Sequence, residues 1–316
     1  MKTLYPQIEP FHHFLLQTDS KHSVYVEQSG NPQGIPVIFL HGGPCSGTKP
    51  HHRYFFNPEK YHIILMDQRG CGQSLPFGEI ENNTTQDLID DMERIRKQLH
   101  IKQWVLYGGS WGSTLTLLYA QQHTENVLGM VIRGVFLARQ QDLDWFAKDG
   151  AGRIYPEKWQ QLVASVIDGN TADLIPCLYD AMFGKDEDIK KRVAKAWMNW
   201  GGQVALRQEY QDADEPEHVT EKMLQQVQME IHYAQNKYFI SENQILKSCE
   251  SLQDIPTTIV HGRNDLVCPM ESGLSLSKAM PNAEFIVLPN AGHIASGEEM
   301  IDALVGATDR MTHSIE

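Results

Sequence analysis

The 316-residue sequence predicts an α/β fold, a mostly parallel sheet with helices on both faces and an inserted helical segment. Three observations carry this. From Ser23 to about Arg133, short β-rich runs alternate with helical patterns, as expected of a parallel sheet covered by helices. The alternation resumes at Ile255. Between the two stretches β-branched runs nearly vanish, and Trp145, Trp159, Trp197 and Trp200 fall in long charged and glutamine-rich helical patterns.

Taken in order, the expected strands are Val24-Tyr25-Val26, Val37 to Leu40, Ile63 to Met66, Trp104 to Tyr107, Met130 to Ile132, Thr257 to Val260 and Phe285 to Leu288. Each is rich in β-branched or aromatic residues. Leu88, Met92, Ile95 and Leu99 recur at helical spacing behind Asn83-Thr84-Thr85, which predicts an amphipathic crossover helix with Thr85 as its N-cap. Leu115, Leu118 and Tyr119 mark another helix, and Leu274, Leu276 and Met280 a third. The expected organisation is a first core part over residues 1–136, a helical cap over 137–246 and a second core part over 247–316.

Charge and composition exclude several function classes. The 40 acidic residues outnumber the 27 basic ones, giving a formal charge of −13, and no basic run offers a footprint for a phosphate backbone. Nucleic acid is therefore not an expected partner. Met1 to Ser20 includes Glu9, Asp19 and several histidines instead of a basic start followed by an apolar block, and no segment approaches the length of a membrane span. The expectation is a cytoplasmic protein without a membrane partner. Cys45, Cys71, Cys177, Cys249 and Cys268 are scattered and odd in number, which fits reduced thiols better than a disulfide framework or a zinc site. The run Asp67 to Ser74 follows a strand but lacks the Gly-Lys-Ser/Thr ending of a phosphate loop, so Asp67 reads as structural.

The chemistry is concentrated in Gly108-Gly109-Ser110-Trp111-Gly112, which lies between a strand run and a helical pattern. A Gly-x-Ser-x-Gly turn of this kind holds a serine in a strained conformation with its hydroxyl exposed, so Ser110 is the candidate nucleophile. Such a serine needs a histidine base, and the base needs a carboxylate to fix its tautomer. Asp265 lies just past the Thr257 to Val260 run and His293 just past Phe285 to Leu288. Both fall beyond the carboxyl ends of strands, where open α/β sheets place their sites. Upstream, His41-Gly42-Gly43-Pro44 follows a core strand and suits backbone N–H groups aimed at an oxyanion, with the amides of Gly43 and Trp111 as candidates.

Taken together, His41-Gly42-Gly43-Pro44, Asp67 to Gly72, Glu81 to Thr85, Gly108 to Ser113, Arg133-Gly134-Val135-Phe136 and His261-Gly262-Arg263 through Asp265 resemble the prolyl aminopeptidases, or proline iminopeptidases. These are S33-type peptidases of the α/β-hydrolase fold. The resemblance implies release of N-terminal proline from small peptides by acyl transfer through Ser110, with His293 as base and Asp265 orienting it. It implies neither a metal nor an organic cofactor. Glu230 matches an amine-binding glutamate, Phe136 and Phe146 match walls of the pyrrolidine pocket, and Tyr233 falls in the same binding region.

Four positions depart from the family pattern. Gly201 stands where a second amine-binding glutamate is usual, Ala234 where a phenylalanine is, Cys45 replaces a glycine and Asn264 a tyrosine. They keep open a related esterase or amidase that ignores a free amine. Glu209 or Glu215 could supply the missing acid. A non-catalytic binding protein is a third reading, against which Ser110, Asp265 and His293 argue. Cys268, three residues beyond Asp265, is expected near the site, where bulky thiol reagents would crowd it.

Overall fold

The computed structural model describes residues 1–18, 20–166, 174–211 and 215–315. Its sheet contains β1 (His12–Gln17), β2 (Ser23–Gly30), β3 (Ile35–Leu40), β4 (Tyr61–Met66), β5 (Trp104–Ser110), β6 (Val127–Val135), β7 (Thr257–Gly262) and β8 (Glu284–Leu288). They are arranged β1-β2-β4-β3-β5-β6-β7-β8. β2 runs antiparallel to both neighbours, and from β4 across to β8 every pairing is parallel. Every residue of β4 and of β7 is buried, because helices cover both faces; parallel strands therefore read as continuous apolar runs.

The edge strand β1 was not among the expected strands. Only Leu16 of its six residues is fully buried, so its apolar signal is faint. It is held by pairing with β2, from His12 opposite Gln28 to Gln17 opposite Ser23.

The helices are α1 (Thr85–Gln98), α2 (Trp111–Gln122), α3 (Gln140–Ala147), α4 (Pro156–Ala164), α5 (Leu174–Phe183), α6 (Glu187–Leu206), α7 (Glu221–Gln235), α8 (Gln244–Lys247), α9 (Met270–Ala279) and α10 (Glu298–Ser314). α1 and α2 share one core with the face of the sheet that carries Ile38, Ile64 and Leu106. α10 packs on the other face, against Val37, Val105 and Tyr107. The N-cap of α1 is Thr84, not Thr85: the Thr84 hydroxyl accepts from Asp87 N–H at 3.3 Å, and Asp87 accepts from Thr84 N–H at 2.9 Å. This reciprocal box satisfies two otherwise unpaired donors. The Thr85 hydroxyl instead donates to the carbonyl of Tyr238 at 2.5 Å.

Residues 137–246 carry helices α3 to α7 and the start of α8, with no strand among the described residues. They build a separate apolar cluster around Trp197, Trp200, Val204, Leu224 and Ile231. Trp200 also donates its indole N–H to the carbonyl of Phe146 at 3.0 Å, tying α6 to α3.

Candidate active site

Ser110 ends β5 and Trp111 begins α2, so the chain reverses direction at the serine. Its backbone takes φ 57° and ψ −126°, a conformation that costs on the order of 1–3 kcal/mol and persists only when its surroundings impose it. The glycines on either side explain how they do. A Cβ on Gly108 would lie 2.1 Å from the carbonyl oxygen of Gly112, and one on Gly112 would lie 2.1 Å from that of Leu40. Only glycine lets α2 approach β5 and β3 this closely. Ser113 then fixes the turn, its hydroxyl donating to the Ser110 carbonyl at 2.6 Å and accepting from Phe136 N–H at 3.0 Å.

The loops after β7 and β8 bring Asp265 and His293 together. His293 Nδ1 lies 2.8 Å from Asp265 Oδ2, and Asp265 Oδ1 accepts from the N–H groups of Val267 at 3.0 Å and Cys268 at 2.8 Å. Burial alone would raise the Asp265 pKa, but the neighbouring His293 and these hydrogen bonds hold it below the ordinary carboxylate value. Asp265 is therefore a fixed anion, which places the imidazole proton on Nδ1 and leaves Nε2 as the basic nitrogen. Arg133 donates a guanidinium N–H to the His293 carbonyl and so braces the histidine loop from β6. Asn264 joins the two loops, its N–H bonding to Ala291 O at 3.0 Å and its side chain to Pro289 O at 3.1 Å.

The turn after β3 runs beside the nucleophile: a Cβ on Gly42 would lie 3.3 Å from that of Ser110. Its residues are held from the loop after β4. Gln68 donates its N–H to His41 Nε2 at 3.0 Å and its side-chain amide to His41 O at 2.9 Å, while its Oε1 accepts from the Trp111 indole at 2.8 Å. Asp67 accepts from Thr48 N–H and Oγ1 at 2.6 and 2.8 Å and from Gln73 N–H at 2.8 Å, as a structural residue does.

A cavity of about 650 Å³ opens onto Ser110, Gly43 and His293 and is closed on its far side by α3, α6 and α7. Phe136 and Phe146 lie in its wall. The Phe136 ring meets Tyr238 edge-on at 4.9 Å and Phe146 meets Trp197 at 5.5 Å, so each is braced by a second aromatic. Glu230 lines the same cavity. Its carboxylate accepts from the Trp197 indole at 2.7 Å and from Gln226 at 3.1 Å, and it has no cationic partner among the described residues. Burial pushes its pKa above the ordinary value against those two bonds.

The cavity thus gathers Ser110, His293, Gly43, Phe136, Phe146 and Glu230, with Asp265 and Trp111 behind them. Tyr233, expected in the binding region, is not a wall residue. Its ring packs edge-on against Trp111 at 5.3 Å, and its hydroxyl donates to Asn83 at 3.0 Å. The neighbouring helix position, Ala234, faces the cavity instead. Neither Glu209 nor Glu215 is in the wall. Glu215 pairs with Lys158 at 2.6 Å, and Glu209 lines an adjoining cleft that meets the cavity at Leu206 and His293. Asp142 does reach the cavity, but Arg139 holds it at 2.7 Å. Gly201 lines the wall, and a Cβ there would meet nothing within 4 Å.

Cys268 is also in the wall, in the same cavity as Ser110. Among the wall residues that sequence reasoning did not mark as site residues are Tyr238, Trp197 and Gln226. Gln226 precedes Glu230 by one helical turn, a spacing that could have flagged it. Tyr238 carried no such signal. It sits in a turn, Lys237–Phe239, where φ is 50°, 54° and 56° in succession.

A strained serine at a strand-to-helix turn, a histidine–aspartate pair and an adjacent backbone turn form the site of a serine hydrolase. Comparison with known proteins agrees. The α/β hydrolase fold family matches residues 35–299. A proline iminopeptidase from Neisseria meningitidis serogroup A is 44% identical over 97% of this chain and 98% of its own length. A probable proline iminopeptidase from Leptolyngbya boryana is 42% identical over 98% and 97%. Among solved structures, a proline iminopeptidase-related protein from Thermus thermophilus superposes with a TM-score of 0.60 over 96% of this chain and 99% of its own, at 18% identity, which speaks to the fold alone. The chain belongs to the α/β hydrolases and, within them, to the proline iminopeptidases.

Proposed function

We propose that this protein is a serine peptidase that releases N-terminal proline from small peptides through an acyl-enzyme intermediate. The observation that carries the reading is Glu230, a carboxylate without a cationic partner among the described residues, in the same cavity as Ser110 and His293. A desolvated carboxylate flanked by aromatic walls is what a prolyl ammonium and its ring require.

In this reading the proline ring packs between Phe136 and Phe146, and its ammonium donates to Glu230. Ser110 Oγ attacks the prolyl carbonyl carbon while its proton passes to His293 Nε2. The oxyanion accepts from the N–H groups of Gly43 and Trp111. Collapse breaks the peptide bond, and the leaving amine takes the proton from Nε2. Water then repeats the sequence in reverse, with His293 as base, and frees proline. Residues 137–246 act as the cap that selects the substrate. No helix of the described residues is long and apolar enough to cross a membrane. The five free cysteines and the charge of −13 support a cytoplasmic enzyme that does not bind nucleic acid.

Intact-protein mass spectrometry after treatment with a proline diphenyl phosphonate tests the chemistry. One adduct on the wild type and none on Ser110→Ala is expected; equal labelling of both would refute the role of Ser110. Gly201 and Ala234 favour the second reading, an esterase or amidase indifferent to the amine, since both leave room in the wall where the family pattern has larger side chains.

A further inference from the structure

The cavity wall carries one cationic residue, Lys49, that the mechanism does not use. Gly43, Ser46 and Lys49 all line the cavity from the loop after β3. Lys49 is the only lysine or arginine among the described wall residues, and its ammonium has no ion pair or side-chain hydrogen bond among them. The attachment of the side chain is nevertheless fixed. Thr48 is clamped to Asp67 through its N–H and hydroxyl, and Lys49 N–H donates to His52 Nδ1 at 3.0 Å.

We propose that Lys49 receives the free α-carboxylate of a dipeptide, making Pro-Xaa dipeptides the preferred substrate class over longer or C-terminally blocked peptides. This rests on the aminopeptidase reading. With the ammonium at Glu230 and the prolyl carbonyl at Ser110, the acyl half of the substrate fills the aromatic end under α3, α6 and α7. The leaving residue must then run along the remaining wall, past Ser46 and Lys49. In a dipeptide the carboxylate follows within one residue of the cleaved bond, about 3.8 Å of chain. In a longer peptide a neutral amide takes that place. The protein carries a net charge of −13, and the acidic groups in the wall are Glu230 and Asp142, the latter paired with Arg139. Lys49 reverses that field locally and gives the cavity opposite charges for the two ends of a zwitterion.

The test is the ratio of kcat/KM for Pro-Ala to that for Pro-Ala-amide in the wild type, Lys49→Met, Lys49→Arg and Lys49→Glu, with proline amide as a third substrate. The expected wild-type ratio is about ten, a charge-assisted hydrogen bond's worth of preference. It falls to about one in Lys49→Met and below one in Lys49→Glu, and is restored in Lys49→Arg. Raising the salt concentration should shrink the wild-type ratio. A wild-type ratio near one, or the same ratio in Lys49→Met, with proline amide still hydrolysed, overturns the role of Lys49 alone. Failure to hydrolyse proline amide and both dipeptides overturns the aminopeptidase reading and this proposal with it.

Discussion

Replacing Glu230 by glutamine removes one charge while keeping the side chain's shape. The carbonyl oxygen of the new amide still accepts from Trp197, and rotation of the Gln226 amide lets the second bond survive, so the cavity wall is preserved. What is lost is the counter-charge for a substrate ammonium. Gly201 supplies no acid, Asp142 is bound to Arg139, and Glu215 is bound to Lys158. Leaving a buried charge unpaired costs about 3–5 kcal/mol. Because the cavity is open to water we take the lower figure, and about 3 kcal/mol at about 1.4 kcal/mol per decade is roughly a hundredfold in kcat/KM. The assay is steady-state hydrolysis of proline amide and of a neutral N-acetylproline ester, with thermal unfolding alongside. The amide should lose about a hundredfold and the ester should lose little. Stability should move the other way. A carboxyl whose pKa is raised in the fold favours the protonated form, so the fold loses stability as pH rises from the ordinary value through the raised one, and the glutamine variant escapes the loss. A drop in amide hydrolysis of less than about threefold in a folded variant would refute the assignment of Glu230 to the ammonium.

Three other outcomes follow from the same geometry. Gly201→Glu places a Cβ in open space within α6, so it should fold, gain about 0.5–1 kcal/mol from helix propensity and lower KM for proline amide about tenfold; thermal melts and steady-state kinetics check both. As pH falls through the raised Glu230 pKa, KM for free-amine substrates should climb while that for acetylated esters stays level; Asp265 is depressed, so its contribution to stability is present above the ordinary carboxylate range and is lost only as pH falls through the lowered value. N-ethylmaleimide should inactivate slowly, because burial pushes the Cys268 thiol well above its ordinary pKa, and Cys268→Ala should resist. Reaction at Cys177, the half-buried cysteine on α5, should leave activity intact, and peptide mapping separates the two.

The parts of the site that were legible in the sequence are those written in local pattern. Ser110, Asp265 and His293 each follow a β-rich run directly, so strand ends located them without knowledge of how the strands pair. The central strands were legible because burial on both faces leaves them uniformly apolar. β1 was not, since a strand with one fully buried residue is defined by its pairing with β2 and not by its own composition. The misplaced N-cap of α1 came from adjacent threonines: both can cap, and the distant carbonyl of Tyr238 decides which does. The cavity wall was the least legible part. Tyr233 and Ala234 are neighbours on α7, and a helix rotation of one residue separates packing on Trp111 from facing the substrate. Tyr238 reaches the wall from three successive left-handed residues, a conformation that costs about 1–2 kcal/mol per residue and that Lys237, Tyr238 and Phe239 do not announce.

The reading of this chain as a peptidase that recognises a free prolyl amine is tested most directly by comparing kcat/KM for proline amide, alanine amide and N-acetylproline amide, with Ser110→Ala as the blank. Strong preference for proline amide, near-complete loss on acetylation and no turnover without Ser110 are the expected results. Comparable hydrolysis of the acetylated substrate would contradict the reading, and would mean that Gly201 and Ala234 mark a hydrolase that does not read the amine.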